Sequence, residues 1–218
     1  MSEVNLIALS KPSSITDCHS AEQLVAYAAR VSNPENQNNT KTASKLLKYL
    51  IRNEHWSPLE MVHITMEIKT TRDIARQILR HRSFSFQEFS QRYAVATEFE
   101  KRDARLQDEK NRQNSVETDD KGLAEWWSIE QTKAMNRAEM AYNDALRKGI
   151  AKEQARALLP EGLTGSTLYM AGSLRSWVHY CQLRMANGTQ KEHMEIAAKC
   201  WDIVGVHFPS VIDALADD

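Results

Sequence analysis

The chain has 218 residues, 42% of them hydrophobic and 26% charged, with a formal net charge of −1. Near-neutrality excludes a global field that would hold the protein on DNA or an acidic membrane, so no nucleic-acid or membrane partner is expected. No apolar run approaches the roughly 20 residues that span a bilayer. Cys18, Cys181 and Cys200 are far apart with no CxxC pair, which argues for a reducing compartment and against a disulfide framework or zinc ribbon. With no signal-peptide pattern in MSEVNLIALSK, a cytoplasmic protein is expected.

In chain order, residues 4–9 (VNLIAL) predict a short strand. Ser20 and Gln23 form a capping box that opens a helix through AEQLVAYAARVS, with Leu24, Val25, Ala28 and Val31 as its apolar stripe. A polar turn over 33–39 leads to a helix over 41–53, which Ser57-Pro58 follows as a break. Val62, Ile64, Met66 and Ile68 then alternate with polar residues, the clearest strand signal present. Thr71 is placed to cap a helix running to Arg82, with Ile74, Ala75, Ile78 and Leu79 inward and Arg72, Arg76 and Arg80 as a solvated ridge. Residues 98–120 have little apolar content and read as a long surface excursion. From there the pattern predicts helices over 123–147, 151–159, 166–186, 189–206 and 210–216. The fold class expected is α+β: one domain over 1–218, with a small antiparallel sheet carried by several helices and no alternating βαβ pattern.

The seven glycines include neither GxGxxG nor GxxxxGK[ST], so a nucleotide would have to be held by side-chain cations and helix ends. RHRSFSFQEFSQRY supplies such cations: Arg80, His81 and Arg82 stand together, Glu88, Ser90 and Arg92 follow at alternate positions, and aromatic residues interleave. Guanidinium forks beside rings suit a phosphate and a flat heterocycle. Arg156, Arg175, His179 and Arg184 are further candidates on later helices, although an arginine near a helix end is commonly a dipole partner. His55, His63 and His81 match no metal-ligand spacing, and His193-Met-Glu195 lacks the PCxxC of zinc deaminases, so His193 reads as a helix-surface residue and no metal is expected. Cys181 and Cys200 read as buried packing residues without an activating partner.

These residues resemble the flavin-dependent thymidylate synthases. RHR-x7-S is met by Arg80-His81-Arg82 and Ser90, and AARVS (28–32), HWSPLE (55–60), ARQILRHR (75–82), ARALLP (155–160) and LRSWVHYCQLR (174–184) look like family landmarks in order. The resemblance implies conversion of dUMP to dTMP with FAD as cofactor, and with NADPH and 5,10-methylenetetrahydrofolate as co-substrates. It also implies a homotetramer with shared active sites.

Carried over by position, Gln77, Ile78, Leu79 and Arg80 would contact dUMP. Glu88, Phe89, Ser90, Gln91 and Arg92 would form its loop, and Arg156 would reach it from another subunit. Ser57, Arg80, His81, Arg82, Glu88, Ser173, Leu174, Arg175 and His179 would line FAD. Arg184 would be the catalytic residue, set against the uracil to favour its ionised form. The chain departs from many members at Gln87, Ser173, His179 and Gly188. Two other readings of the same patch are a nucleic-acid binding module that uses residues 80–92 and their aromatics as a stacking platform, and a helical scaffold with an incidental basic ridge.

Overall fold

The structure is a computed structural model that describes residues 2–96 and 98–216. Its centre is an antiparallel sheet of strands β1 (Glu3–Leu9), β2 (His63–Thr71), β3 (Ser85–Glu88) and β6 (Gly165–Ser173), in the order β1-β2-β6-β3. A smaller hairpin joins β4 (Arg105–Gln107) to β5 (Ser115–Glu117). The main helices are α1 (Ala21–Ala29), α2 (Ala43–Arg52), α3 (Arg72–Ile78), α4 (Lys121–Arg147), α5 (Lys152–Ala155), α6 (Leu174–Met185), α7 (Lys191–His207) and α8 (Pro209–Ala216). The α+β class expected from the sequence is the one observed.

The inward side of β2 is Ile64, Met66 and Ile68, all buried as the alternation predicts. These pack with Leu47, Ile74, Ile78, Leu168, Trp177 and Ile196 into one continuous core. Among the described residues, no helix is long and apolar enough to cross a membrane.

The largest difference from the sequence expectation is β6. Residues 166–186 were expected to be one helix, yet Gly165–Ser173 is a strand paired with β2 from His63↔Ser173 to Thr71↔Gly165. Ser166, Leu168, Met170 and Gly172 alternate inward, but a hydroxyl and a glycine at two of these positions mute the apolar signal. Gly172 is required by contact: a Cβ there would lie 2.5 Å from Cδ1 of Phe84. Ser173 then caps α6 by accepting from the Ser176 amide at 3.2 Å, which starts the helix eight residues later than expected.

Smaller corrections follow the same logic. Gln23 closes on the amide of His19 at 2.7 Å rather than on that of its N-cap. Helix α1 stops at Ala29, where Arg30 is buried and donates to the Asn39 carbonyl and Thr42, and this leaves Val31 exposed. Helix α3 ends at Ile78 rather than Arg82, and Arg72, expected on a solvated ridge, is buried. The stretch 151–159 is split into α5 and a 3-10 turn, Arg156–Leu158. The excursion 98–120 contains the β4–β5 hairpin, whose turn is organised by Asp108 accepting from the amides of Lys110 and Asn111 and from Asn114 Nδ2.

Candidate active site

Three groups of predicted residues gather around α6 and β3. In the last turn of α6, Arg184 Nε donates to His81 Nε2 at 2.8 Å. Burial and the adjacent Arg184 hold His81 down to a pKa of about 4, so the ring is neutral and its Nε2 is bare. Tyr180 packs edge-on against His81, with ring centroids 4.9 Å apart. On the neighbouring helix His193 is fully buried, which corrects its placement at the surface. Its Nδ1 meets Gln77 Oε1 at 3.2 Å and its Nε2 meets the Tyr180 hydroxyl at 3.2 Å.

At the end of β3, Glu88 accepts from Ser166 Oγ at 2.8 Å and lies 3.5 Å from Arg72 and 3.4 Å from Arg76. Arg72 and Arg76 also line a cleft of about 470 Å³, together with Gln91, Glu153, Arg156 and Glu161. Arg72 Nη1 and Gln91 Nε2 are buried without a hydrogen-bond partner. Arg92 is exposed and 3.5 Å from Glu153, while Phe89 borders a separate 150 Å³ cavity. Donors outnumber acceptors here, so the cleft is suited to an anion.

The third group lines a cleft of about 420 Å³: Glu60, His63, Ser83, Ser173, Arg175 and His179. Arg175 pairs with Glu60 at 2.6 Å, and Trp56 packs edge-on to His179 at 4.6 Å. Burial, reinforced by Arg175, lowers the His179 pKa. A helix N-terminus, hydroxyls and a guanidinium side by side can take a phosphorylated cofactor.

Residues 14–210 match the family model described as "Thymidylate synthase complementing protein". The chain is 54% identical over 211 residues to the probable flavin-dependent thymidylate synthase of Paramecium bursaria Chlorella virus 1, covering 96% of this chain and 97% of that protein. The chain belongs to the flavin-dependent thymidylate synthase family. It is also 51% identical over 215 residues to the Synechocystis sp. flavin-dependent thymidylate synthase, covering 98% of this chain and 99% of that protein. Its fold matches a crystal structure of the UMP/dUMP methylase PolB from Streptomyces cacaoi bound with 5-Br dUMP. That match has a TM-score of 0.84 at 27% identity and covers 100% of this chain and 95% of the other.

Seen as a flavin-dependent thymidylate synthase, the chain distributes its expected residues unevenly. Gln91 and Arg156 share the anion cleft, and Ser173, Arg175 and His179 share the cleft at the start of α6. Ile78 and Leu174 are fully buried in the core, so only their backbones could meet a ligand. Ser57, Arg80 and Arg82 are exposed, Leu79 is half-buried, and Ser90 accepts from the Arg92 amide at 3.3 Å.

Two aromatics of the RHR-x7-S segment, Phe84 and Phe86, are turned away from any stacking role, whereas Phe89 is exposed. Phe84 is buried against Trp177 and Tyr180, and Phe86 is half-buried. Burial raises the thiol pKa of both Cys181 and Cys200, so neither is a ready nucleophile. Among the described residues no three His, Cys, Asp or Glu side chains converge as a metal set. Sequence reasoning missed Arg72, Glu60, Ser83 and His193. Glu60 and Ser83 lie inside quoted landmarks, HWSPLE and RHR-x7-S, whereas the burial of Arg72 and His193 leaves no mark in local patterning.

Proposed function

We propose that the protein converts dUMP to dTMP by reductive methylation, with FAD as cofactor, 5,10-methylenetetrahydrofolate as carbon donor and NADPH as reductant. The observation that carries this is the Arg184–His81 pair. Carbon 5 of uracil is a poor nucleophile until negative charge is favoured on the ring nitrogen and carbonyl beside it. A guanidinium placed there stabilises that charge and does not lose its proton. A carboxylate partner would orient Arg184 but cancel part of its field. Neutral His81 orients Nε and leaves the charge intact.

Gln91, Arg72, Arg76 and Arg156 offer the nucleotide phosphate its donors, and Arg72 Nη1 and Gln91 Nε2 have no other hydrogen-bond partner. Ionic contacts from Arg72 and Arg76, with the Ser166 hydroxyl, fix Glu88 between this cleft and β6. Ser173, Arg175 and His179 would hold the flavin, which when bound supplies the hydride that the side chains lack. What supports shared sites in a homotetramer is that these groups line separate clefts within one chain. A further support is that α4 exposes Trp126, Ile129 and Met140.

The test is direct. Purified protein should show flavin absorbance and oxidise NADPH in a dUMP- and folate-dependent reaction that yields dTMP. Protein that takes up no flavin, or that yields no dTMP with all components present, would overturn the assignment.

A further inference from the structure

We infer that His193 is a positioning residue for Gln77, fixing which end of its carboxamide faces the nucleotide. The inference rests on the dUMP reading above and extends it to a residue that the family landmarks do not include.

The polarity of the network can be followed from its charged end. Glu192 lies 2.6 Å from Arg105 and 2.9 Å from Arg102. A carboxylate between two guanidiniums is ionised and only accepts. Gln190 therefore turns its amide nitrogen to Glu192, at 3.0 Å, and its carbonyl to Gln77. Gln77 must donate to that carbonyl, which it does at 2.7 Å, so its own oxygen points to His193. That oxygen cannot donate, so His193 Nδ1 carries the proton and bare Nε2 accepts from the Tyr180 hydroxyl. Every direction is settled by Glu192.

His193 is fully buried, and desolvation, with Arg184 and His81 nearby, holds its pKa to about 3, so the ring stays neutral. One amide hydrogen and one carbonyl lone pair of Gln77 remain free for a ligand. Without the Nδ1–H donor, the Gln190 carbonyl alone is left to distinguish the two ends of the amide. The same chain of bonds ties Gln77 to Arg105 of the β4–β5 hairpin, three side chains away.

Two isosteric variants separate positioning from packing. In His193→Asn the amide nitrogen can occupy the place of Nδ1, whereas in His193→Gln it reaches the place of Nε2. The expected result is that dUMP affinity, measured by titration of the flavin-loaded protein, falls about tenfold in H193Q and is largely recovered in H193N. Flavin content should be the same in both. Equal affinity in wild type and both variants overturns the proposal. Equal loss in both variants also overturns it, because only the ring's volume would then matter.

If H193Q does not fold, Gln190→Met at its half-buried position cuts the other tether. It should weaken dUMP in the same sense, and unchanged affinity overturns the proposal. Wild-type protein that binds flavin but not dUMP fails the parent reading instead and takes this one with it. The Nδ1–H tautomer, read from the ring's nitrogen shifts, reports on the network in either case.

Discussion

Arg184 Nε and His81 Nε2 lie 2.8 Å apart, a permanent cation anchored by a neutral ring. The partner is a base weak enough to leave the guanidinium fully charged. Orientation and charge are thereby supplied by different residues, and the two can be separated by substitution.

Arg184→Ala removes the charge. Turnover of dUMP to dTMP should fall by at least about 100-fold, the scale of losing one donor aimed at developing negative charge. Flavin absorbance should persist, because the cleft holding Ser173 and Arg175 is untouched. Turnover within tenfold of wild type would refute the role given to Arg184.

Acid should destabilise the protein earlier than its carboxylates alone would. His81 and His193 have folded pKa values of about 4 and about 3, below the ordinary value of 6.5. The unfolded chain therefore binds more protons, and stability falls as the pH drops below about 6.5, continuing through these folded values. Above pH 6.5 the two rings contribute no slope. Urea unfolding from pH 8 to pH 5 measures this; equal stability at pH 7 and pH 5 would contradict two buried neutral imidazoles.

Gly172→Ala should loosen the structure beneath the cleft proposed for the flavin. The new methyl meets the Phe84 ring at 2.5 Å, a clash costing about 1–3 kcal/mol. Phe84 lies next to Ser83, whose carbonyl accepts from Ser176 Oγ at 3.3 Å, so displacement should reach the start of α6. A lower Tm together with weaker flavin retention is expected. An unchanged Tm would show that the ring moves freely.

Arg72→Met and Arg156→Ala should differ although both line the anion cleft. Arg72 is buried beside Glu88, so its loss leaves a carboxylate with less compensation and should lower both Tm and dUMP affinity. Arg156 is exposed, and its loss should lower affinity about tenfold with Tm unchanged. Matching thermal behaviour in the two variants would count against the burial argument.

Much of this was visible in the sequence, for identifiable reasons. The alternation of Ile64, Met66 and Ile68 marked β2, and Ser20 marked the start of α1. Strand β6 was hidden because Ser166 and Gly172 take inward positions where a pattern reader expects apolar residues. Both are there for contacts across the sheet, with Glu88 and Phe84, which no local window contains. His193 was misplaced for a related reason. A buried histidine is tolerated only when both nitrogens are satisfied, and its partners are Gln77, 116 positions away, and Tyr180 on another helix. The separate clefts follow from tertiary placement alone.

Strand β6 does more than close the sheet. Ser166 holds Glu88 beside the anion cleft, and Ser173 starts α6 beside the other cleft. Seven extended steps at about 3.3 Å each set these anchors about 23 Å apart along one rigid strand. The strand is therefore a ruler between the two clefts. Inserting one residue into it would flip every later side chain and shift the far cleft. Lengthening the turn between β4 and β5 would leave that spacing unaltered, so natural variation in length is better accommodated there than in β6.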